Sequence, residues 1–352
     1  MEEKKKTARE IIEGYDGPPV RIMEVCGTHT HEIFRLGIRK LLPEQVELIS
    51  GPGCPVCVTQ VGFIDEAIYL ALERQVTICT FGDLVRVPGT NMSLAGAREK
   101  GAKIRIVYSP VDAKEYAKEH PKEQVTFLSV GFETTTPSAC LSVKKAREED
   151  LTNYSILTAN KTMPQAYEAL KGSADIFLYP GHVNAITGTK LCEELAKEGV
   201  SGVVAGFTAK ELLTALAVAL ARFQEGRPFF VNCYPRVVTE NGSPQAQKLV
   251  EEMMEPCDSE WRGLGVIKGS GMRLQEEWSA FDARKKYKIP LIQGKANPAC
   301  RCGDVLQGKC KPSDCKVFGK VCTPQHPVGA CMVSGEGACS AYYMYGEAEK
   351  MK

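Results

Sequence analysis

Met23-Glu24-Val25-Cys26-Gly27-Thr28-His29-Thr30-His31-Glu32 gathers one thiol, two imidazoles and two carboxylates within ten residues. A cysteine thiolate attacks electrophiles and binds soft metals, and neighbouring imidazoles hold metals or move protons. Residues 20–25 are apolar and β-branched, and Gly27 permits a tight turn. Thr28 or Thr30 can cap a helix whose apolar positions Ile33, Phe34, Ile38, Leu41 and Leu42 recur at helical spacing. Cys26 is therefore expected at a strand's carboxyl end beside a helix N-terminus, where backbone N–H groups and the helix dipole favour the thiolate. A buried, inert cysteine is the plainer alternative; His29 and Glu32 beside it argue for chemistry.

Two further thiol groups stand out. Cys54 and Cys57 form a C-x2-C between a strand and a helix, a spacing that suits cycling between dithiol and disulfide, with half a zinc site as competitor. Seven of the fifteen cysteines crowd into the stretch from Cys300 to Cys339. Cys300, Cys315, Cys322 and Cys339 are separated by fourteen, six and sixteen residues, with Cys302, Cys310 and Cys331 interspersed. Thiolates drawn from long loops suit an iron–sulfur cluster, whereas structural zinc favours short paired knuckles; spacing alone does not choose four ligands from seven. Glu133, Asn160, Lys161 and His182 are polar candidates at later strand ends, each of which loop geometry could equally explain. Cys79, Cys140, Cys192, Cys233 and Cys257 read as small hydrophobes. No G-x-G-x-x-G or G-x4-G-K-[ST] motif opens a helix, which weakens nucleotide readings.

The elements that position these groups alternate in the manner of parallel α/β architecture. Strands are predicted at 20–25, 46–49, 76–79, 104–108, 125–130, 155–158, 176–179 and 202–205, with helices such as 61–72 between them. Turn-forming and polar residues follow each strand, and the carboxyl edge of an open α/β sheet is where ligands bind. Seven such loops in succession predict a shared cleft. The charged run 113–121 suggests a boundary, giving an α/β domain at 16–118, a second at 119–227 and a cysteine-rich iron–sulfur domain at 228–352, with 1–15 a further candidate part of the last. Short strands are predicted at 229–231 and 236–239, and a helix at 244–254. The final sixty residues have little periodicity and cannot build a core alone, so metal ligation is expected to replace one.

With 44 Lys and Arg against 43 Asp and Glu, a formal net charge of +1, the chain has no field for gripping nucleic acid or acidic lipid. No apolar run reaches membrane-spanning length, and the charged start is no signal peptide. A cytoplasmic protein with mostly reduced cysteines is expected.

Cys26-Gly27-Thr28-His29-Thr30, Gly51-Pro52-Gly53-Cys54-Pro55-Val56-Cys57, Gly131-Phe132-Glu133-Thr134-Thr135, Pro180-Gly181-His182-Val183 and the run 312–343 together resemble the HypD family of hydrogenase maturation factors, nearly end to end. The resemblance implies a cofactor-assembly scaffold with redox activity rather than a conventional enzyme. On it, iron acquires two cyanides and one carbon monoxide for a nickel–iron hydrogenase. It implies that Cys26 holds the iron with a cysteine of the chaperone HypC, and that cyanide arrives as a thiocyanate on HypE. The finished group then passes by way of HypC to the hydrogenase large subunit. It further implies a 4Fe-4S cluster on Cys300, Cys315, Cys322 and Cys339, leaving Cys302, Cys310 and Cys331 as extras, with Cys54 and Cys57 relaying electrons. His29 beside Cys26 suits a soft-ligand iron site. Two competitors remain: an iron–sulfur-dependent thiol–disulfide oxidoreductase acting on a protein disulfide, and a zinc-stabilised binding module.

Overall fold

The computed structural model describes residues 6–346, so residues 1–5 and 347–352, assigned above to the terminal unit, lie outside the described residues. The strands are β1 (Val20–Glu24), β2 (Val46–Ser50), β3 (Thr77–Thr80), β4 (Ile104–Ile106), β5 (Val125–Gly131), β6 (Tyr154–Asn160), β7 (Ile176–Pro180), β8 (Ser201–Ala205), β9 (Phe230–Asn232), β10 (Met254–Trp261) and β11 (Gly265–Leu274). Two sheets are wholly parallel, as the alternation predicts. Their orders are β2-β1-β7-β8-β9 and β4-β3-β5-β6.

These sheets do not follow the contiguous division at 118/119. The first takes its strands from both ends of the 20–232 region and encloses the second in sequence, so β1 lies against β7 with Ile22 opposite Ile176. The charged run that suggested a boundary belongs to the helix Pro110–Glu119, which buries Pro110, Ala113, Ala117 and Lys114, the last paired with Glu115 and Glu149. The terminal unit is not set apart either. Phe230–Asn232 completes the first sheet, and the helix Pro244–Met253 packs on Thr136–Glu148. Residues 236–239 form a turn instead of a strand because the Asn232 side chain folds back, donating to Val238 O and accepting from Tyr234 N–H.

The second sheet is covered on both faces, which explains its near-continuous apolar strands. Phe63, Ile64, Ala67 and Leu70 of the helix Val61–Glu73 pack on Ile78, Leu128 and Leu157; Ala139, Cys140 and Val143 pack on Phe127 and Ile156 opposite. Cys79 and Cys140 are fully buried there, as small hydrophobes. In the first sheet, Leu212, Ala215, Leu216 and Leu220 of the helix Ala209–Phe223 cover Ile22, Leu178 and Val203. A separate core joins Met23 and Tyr179 of the first sheet, Phe132 beyond the second, Trp261 of the β10–β11 hairpin and Cys302, Cys322, Cys331 and Cys339. The cysteine-rich tail thus borrows a core it cannot build alone. No helix among the described residues is long and apolar enough to cross a membrane.

Candidate functional site

In the first sheet β1 connects to β2 on one side, whereas β7 leads through β8 to β9 on the other. The order reverses between β1 and β7, and at such a switch point the loops diverge and leave room for a ligand. Cys26 follows β1 and His182 follows β7, so sequence-distant candidates meet where the topology opens.

Cys26 has extended backbone, φ −152° and ψ 123°, and stands immediately before the helix Gly27–Arg35. Beneath it the fully buried Glu24 accepts from Arg39 at 2.5 Å and from the Thr30 hydroxyl at 2.7 Å. The next strand's loop lies directly on the Cys26 backbone: Gly27 N–H donates to Gly53 O at 3.0 Å, and a Cβ on Gly53 would fall 2.2 Å from Cys26 Cα. The tail closes the other side. Thr28 Oγ1 donates to Glu336 Oε1 at 2.7 Å, and His31 Nδ1 donates to Gly335 O at 3.1 Å.

The expected open cleft is therefore packed, with Cys26 1%, Cys54 2% and Cys57 0% exposed. The thiolate expected from the helix terminus is not favoured. Burial outweighs the N–H groups of His29 and Thr28, Glu336 adds repulsion, and the thiol is pushed up to about 12. A metal arriving here must displace a proton.

His29 is fully buried, and burial holds its imidazole down to about 4. Its Nε2–H donates to Gly206 O at 3.1 Å, while Nδ1 is buried without a hydrogen-bond partner. In the neutral ring this fixes the tautomer and leaves Nδ1 as a bare lone pair, the disposition of a metal-binding imidazole. His29 and His182 both lie against Phe207, at ring-centroid distances of 4.9 and 5.1 Å, and burial also holds His182 down to about 4.

Cys54 Sγ accepts from Cys57 N–H at 3.2 Å, capping the short helix Pro55–Val58. Burial pushes Cys57 well above its ordinary value, and the helix that carries it packs against the turn Ala330–Met332, which places Cys331 beside it. Cys331 in turn lies 2.9 Å, sulfur to sulfur, from Cys302. Cys302 contacts Cys300, and Cys331 contacts Cys339. Two cysteines set aside as extras therefore occupy the middle of a continuous thiol chain from Cys57 to the tail. Their spacing carried no signal; only the surplus of seven thiols over four ligands hinted at a second pair. Cys310 sits apart, in a cavity with Arg21 and Lys311.

Cys300, Cys315, Cys322 and Cys339 line one small cavity, together with Cys302, Cys331, Val317, Phe318 and Met332. Thiols in an apolar shell are the donor set a cluster needs. Val328 N–H donates to Cys322 Sγ at 3.3 Å, and a Cβ on Gly329 would lie 2.4 Å from Cys300 Sγ, so the backbone leaves room for sulfur and points a donor at it. The residues fit the group. Among the described residues no three Cys, His, Asp or Glu converge to hold a single ion.

Glu133 accepts from Met163 N–H at 2.8 Å through Oε1, while Oε2 is buried without a partner, and burial raises the carboxyl to about 7. The uncharged form is thus held in the fold. That contribution is complete below the ordinary value of 4.5 and is lost as pH rises through 7. Glu133→Gln keeps an acceptor but cannot ionise, so it should match the parent's stability near pH 4 and exceed it at pH 8 by roughly 3 kcal/mol. Parallel pH profiles of the two proteins would contradict this.

Asn160 and Lys161 are not part of the site. Asn160 is satisfied by Ser129 and Thr136, and Lys161 Nζ anchors the hairpin through Ser259 Oγ at 2.6 Å and Glu260 O at 2.7 Å. A cavity of about 930 Å³ lies between that hairpin and the helix Val61–Glu73, away from Cys26.

The sequence model of the HypD family, described as "Hydrogenase formation hypA family", matches residues 2–346. The chain is 42% identical over 347 residues to a hydrogenase maturation factor HypD of Cupriavidus necator, covering 95% of this chain and 92% of that protein. It is 44% identical over 340 residues to one from Rhodobacter capsulatus and 43% identical over 339 residues to one from Escherichia coli, covering 94% of this chain and 90% of the relative in each case.

Proposed function

The chain belongs to the HypD family of hydrogenase maturation factors, and from that premise we propose that it is the scaffold on which an iron ion receives two cyanides and one carbon monoxide. The supporting observation is the switch-point arrangement of Cys26, the bare Nδ1 of His29 and the Cys54/Cys57 loop stacked on the Cys26 backbone. The iron is cargo, bound by Cys26 together with a cysteine of a HypC-type chaperone, with His29 as a further ligand. A soft thiolate and an imidazole suit low-spin iron carrying strong-field ligands. The chaperone then carries the finished group to the hydrogenase large subunit.

Cyanide is supplied as a thiocyanate on a HypE-type donor. Its release requires two electrons and a proton: the S–C bond breaks, the donor regains its thiol, and cyanide binds the iron. Cys54 and Cys57 supply the electron pair by forming an S–S bond and giving up two protons, one for the donor thiol and one balancing the cyanide. Glu133, which keeps its proton to about pH 7, delivers one of them, and His182 donates a hydrogen bond to the incoming cyanide. Cys331 and Cys302 re-reduce the pair by exchange through the Cys57–Cys331 contact. Cys300, Cys315, Cys322 and Cys339 would hold a 4Fe-4S cluster, which supplies electrons singly when bound.

Cys54→Ala should leave iron retention intact and cost about 1 kcal/mol through the lost cap, yet abolish maturation of a hydrogenase in cells. Retained maturation in that variant would remove the dithiol step. The thiol chain also supports a second reading, a thiol–disulfide oxidoreductase acting on a protein disulfide. It would need no iron at Cys26, so a Cys26→Ala protein that still reduced its partner's disulfide while maturation failed would favour it.

A further inference from the structure

The two thiol groups of the chain lie on segments almost 250 residues apart, and one short turn touches both. This turn, residues 261–265, joins β10 to β11. Its base is fixed by Trp261, which is fully buried, donates from Nε1 to Ser270 Oγ at 2.7 Å and stacks on Phe132 with ring centroids 5.8 Å apart. On one side Thr59 pairs with Trp261 in an isolated antiparallel bridge. Arg262 N–H donates to Val58 O at 2.8 Å, and its Nε and Nη2 both donate to Thr59 O, at 3.1 and 2.8 Å. Val58 ends the helix that carries Cys57, and Thr59 caps it. These carbonyls, left free where the helix stops, are satisfied from outside it.

On the other side Gly263, with φ +83°, packs so closely on Gly303 that a Cβ would fall 2.3 Å from Gly303 Cα, and the Gln307 side chain donates to Gly263 O. Gly303 follows Cys302 directly.

We infer that Arg262 is a positioning residue that clamps the Cys54/Cys57 helix to the tail and so holds Cys57 in register with Cys331. It rests on the proposed electron-storing role of these thiols only for its purpose; the clamp itself is a statement about geometry. Arginine suits it because a planar guanidinium gives two donors to one carbonyl, which the single ammonium of lysine does not reproduce.

The test is a proximity measurement on the full-length protein. With Cys54 and Cys302 replaced by serine, Cys331 is the thiol left beside Cys57, and any Cys331–Cys339 cross-link is counted separately. Diamide takes two protons and two electrons from Cys57 and Cys331, becoming the hydrazine as the S–S bond forms. The product is counted by mass spectrometry of unreduced peptides. Adding Arg262→Gln should slow this cross-link about tenfold, since small losses of alignment cost large factors in intramolecular reactions. Arg262→Lys should fall between, with melting temperature and iron content unchanged. A parent-like rate in Arg262→Gln would overturn the inference. Should that variant fail to fold, Arg262→Lys decides alone: slower cross-linking at the parent's melting temperature supports the clamp, and an equal rate overturns it. Because the cross-link involves neither cargo iron nor maturation, an Arg262-dependent rate alongside an unsubstituted protein that supports no hydrogenase maturation would keep the clamp and remove the proposed function.

Discussion

Cys26→Ala is expected to abolish iron retention in the complex with a HypC-type chaperone, lowering the cargo iron at least about tenfold, while the sulfide content of the protein stays unchanged. The first half follows from chemistry. Cys26 is the thiol that follows β1 at its switch point with β7, and His29 alone, a neutral imidazole, cannot hold iron against water. Cys26→Ser should fare almost as badly, because a hydroxyl is a hard, protonated donor of similar size. The second half follows from placement: Cys26 does not line the cavity of the tail thiols. The separation is not complete, since Gly27 packs on Glu336, between Cys331 and Cys339. Alanine removes only the sulfur and leaves that packing alone. Iron and sulfide analysis of the purified complex reads both halves. Cargo iron retained at the parent's level would remove Cys26 from the site, and loss of sulfide would show the two sites to be one.

The converse substitution should do more damage. Cys322→Ala is expected to lower bound iron and sulfide from about four each to near zero and to expose residues 300–346 to proteases. The tail contributes few apolar residues of its own, and metal binding to such segments is folding free energy, on the order of 10 kcal/mol for thiolate sites. Its loss should propagate. Glu336 and Gly335 hold Thr28 and His31, and Tyr342 packs on Phe34 with ring centroids 4.5 Å apart, so the Cys26 loop loses one wall when the tail unfolds. Cys322→Ala should therefore lose cargo iron as well, whereas Cys26→Ala spares the cluster. Limited proteolysis and metal analysis of both variants test this asymmetry. A Cys322→Ala protein with full sulfide would take Cys322 out of the ligand set, and stoichiometric zinc without sulfide in the parent would contradict the cluster altogether.

What could be read from the chain alone was local. Residues 20–24 and 125–131 form strands because β-branched runs bounded by turn-forming residues have little else to do, and Cys26 falls where the strand-to-helix junction puts it. Which strands share a sheet could not be read that way, because the pairing of β1 with β7 is decided by packing across 150 residues and leaves no mark in either strand. The hairpin was missed for another reason. Met254-Glu255-Pro256-Cys257-Asp258-Ser259-Glu260-Trp261 alternates between half-buried and exposed positions, but its half-buried Glu255, Cys257 and Ser259 are not large apolar residues, so no apolar–polar alternation marks it in the sequence. With the hairpin went Arg262. The acidity of Cys26 was misjudged because a helix terminus is visible in sequence and desolvation is not. His29 shows the opposite case: its residue type was legible, but the free Nδ1 depends on the carbonyl of Gly206, a residue of β8's loop that only the fold brings near.

The most direct measurement is the infrared spectrum of the protein purified anaerobically with its HypC-type chaperone. The account predicts two cyanide stretches and one carbonyl stretch on iron, present in the parent and absent in Cys26→Ala. Bands that persist in Cys26→Ala, or a parent complex that supports hydrogenase maturation while showing none of them, would contradict it.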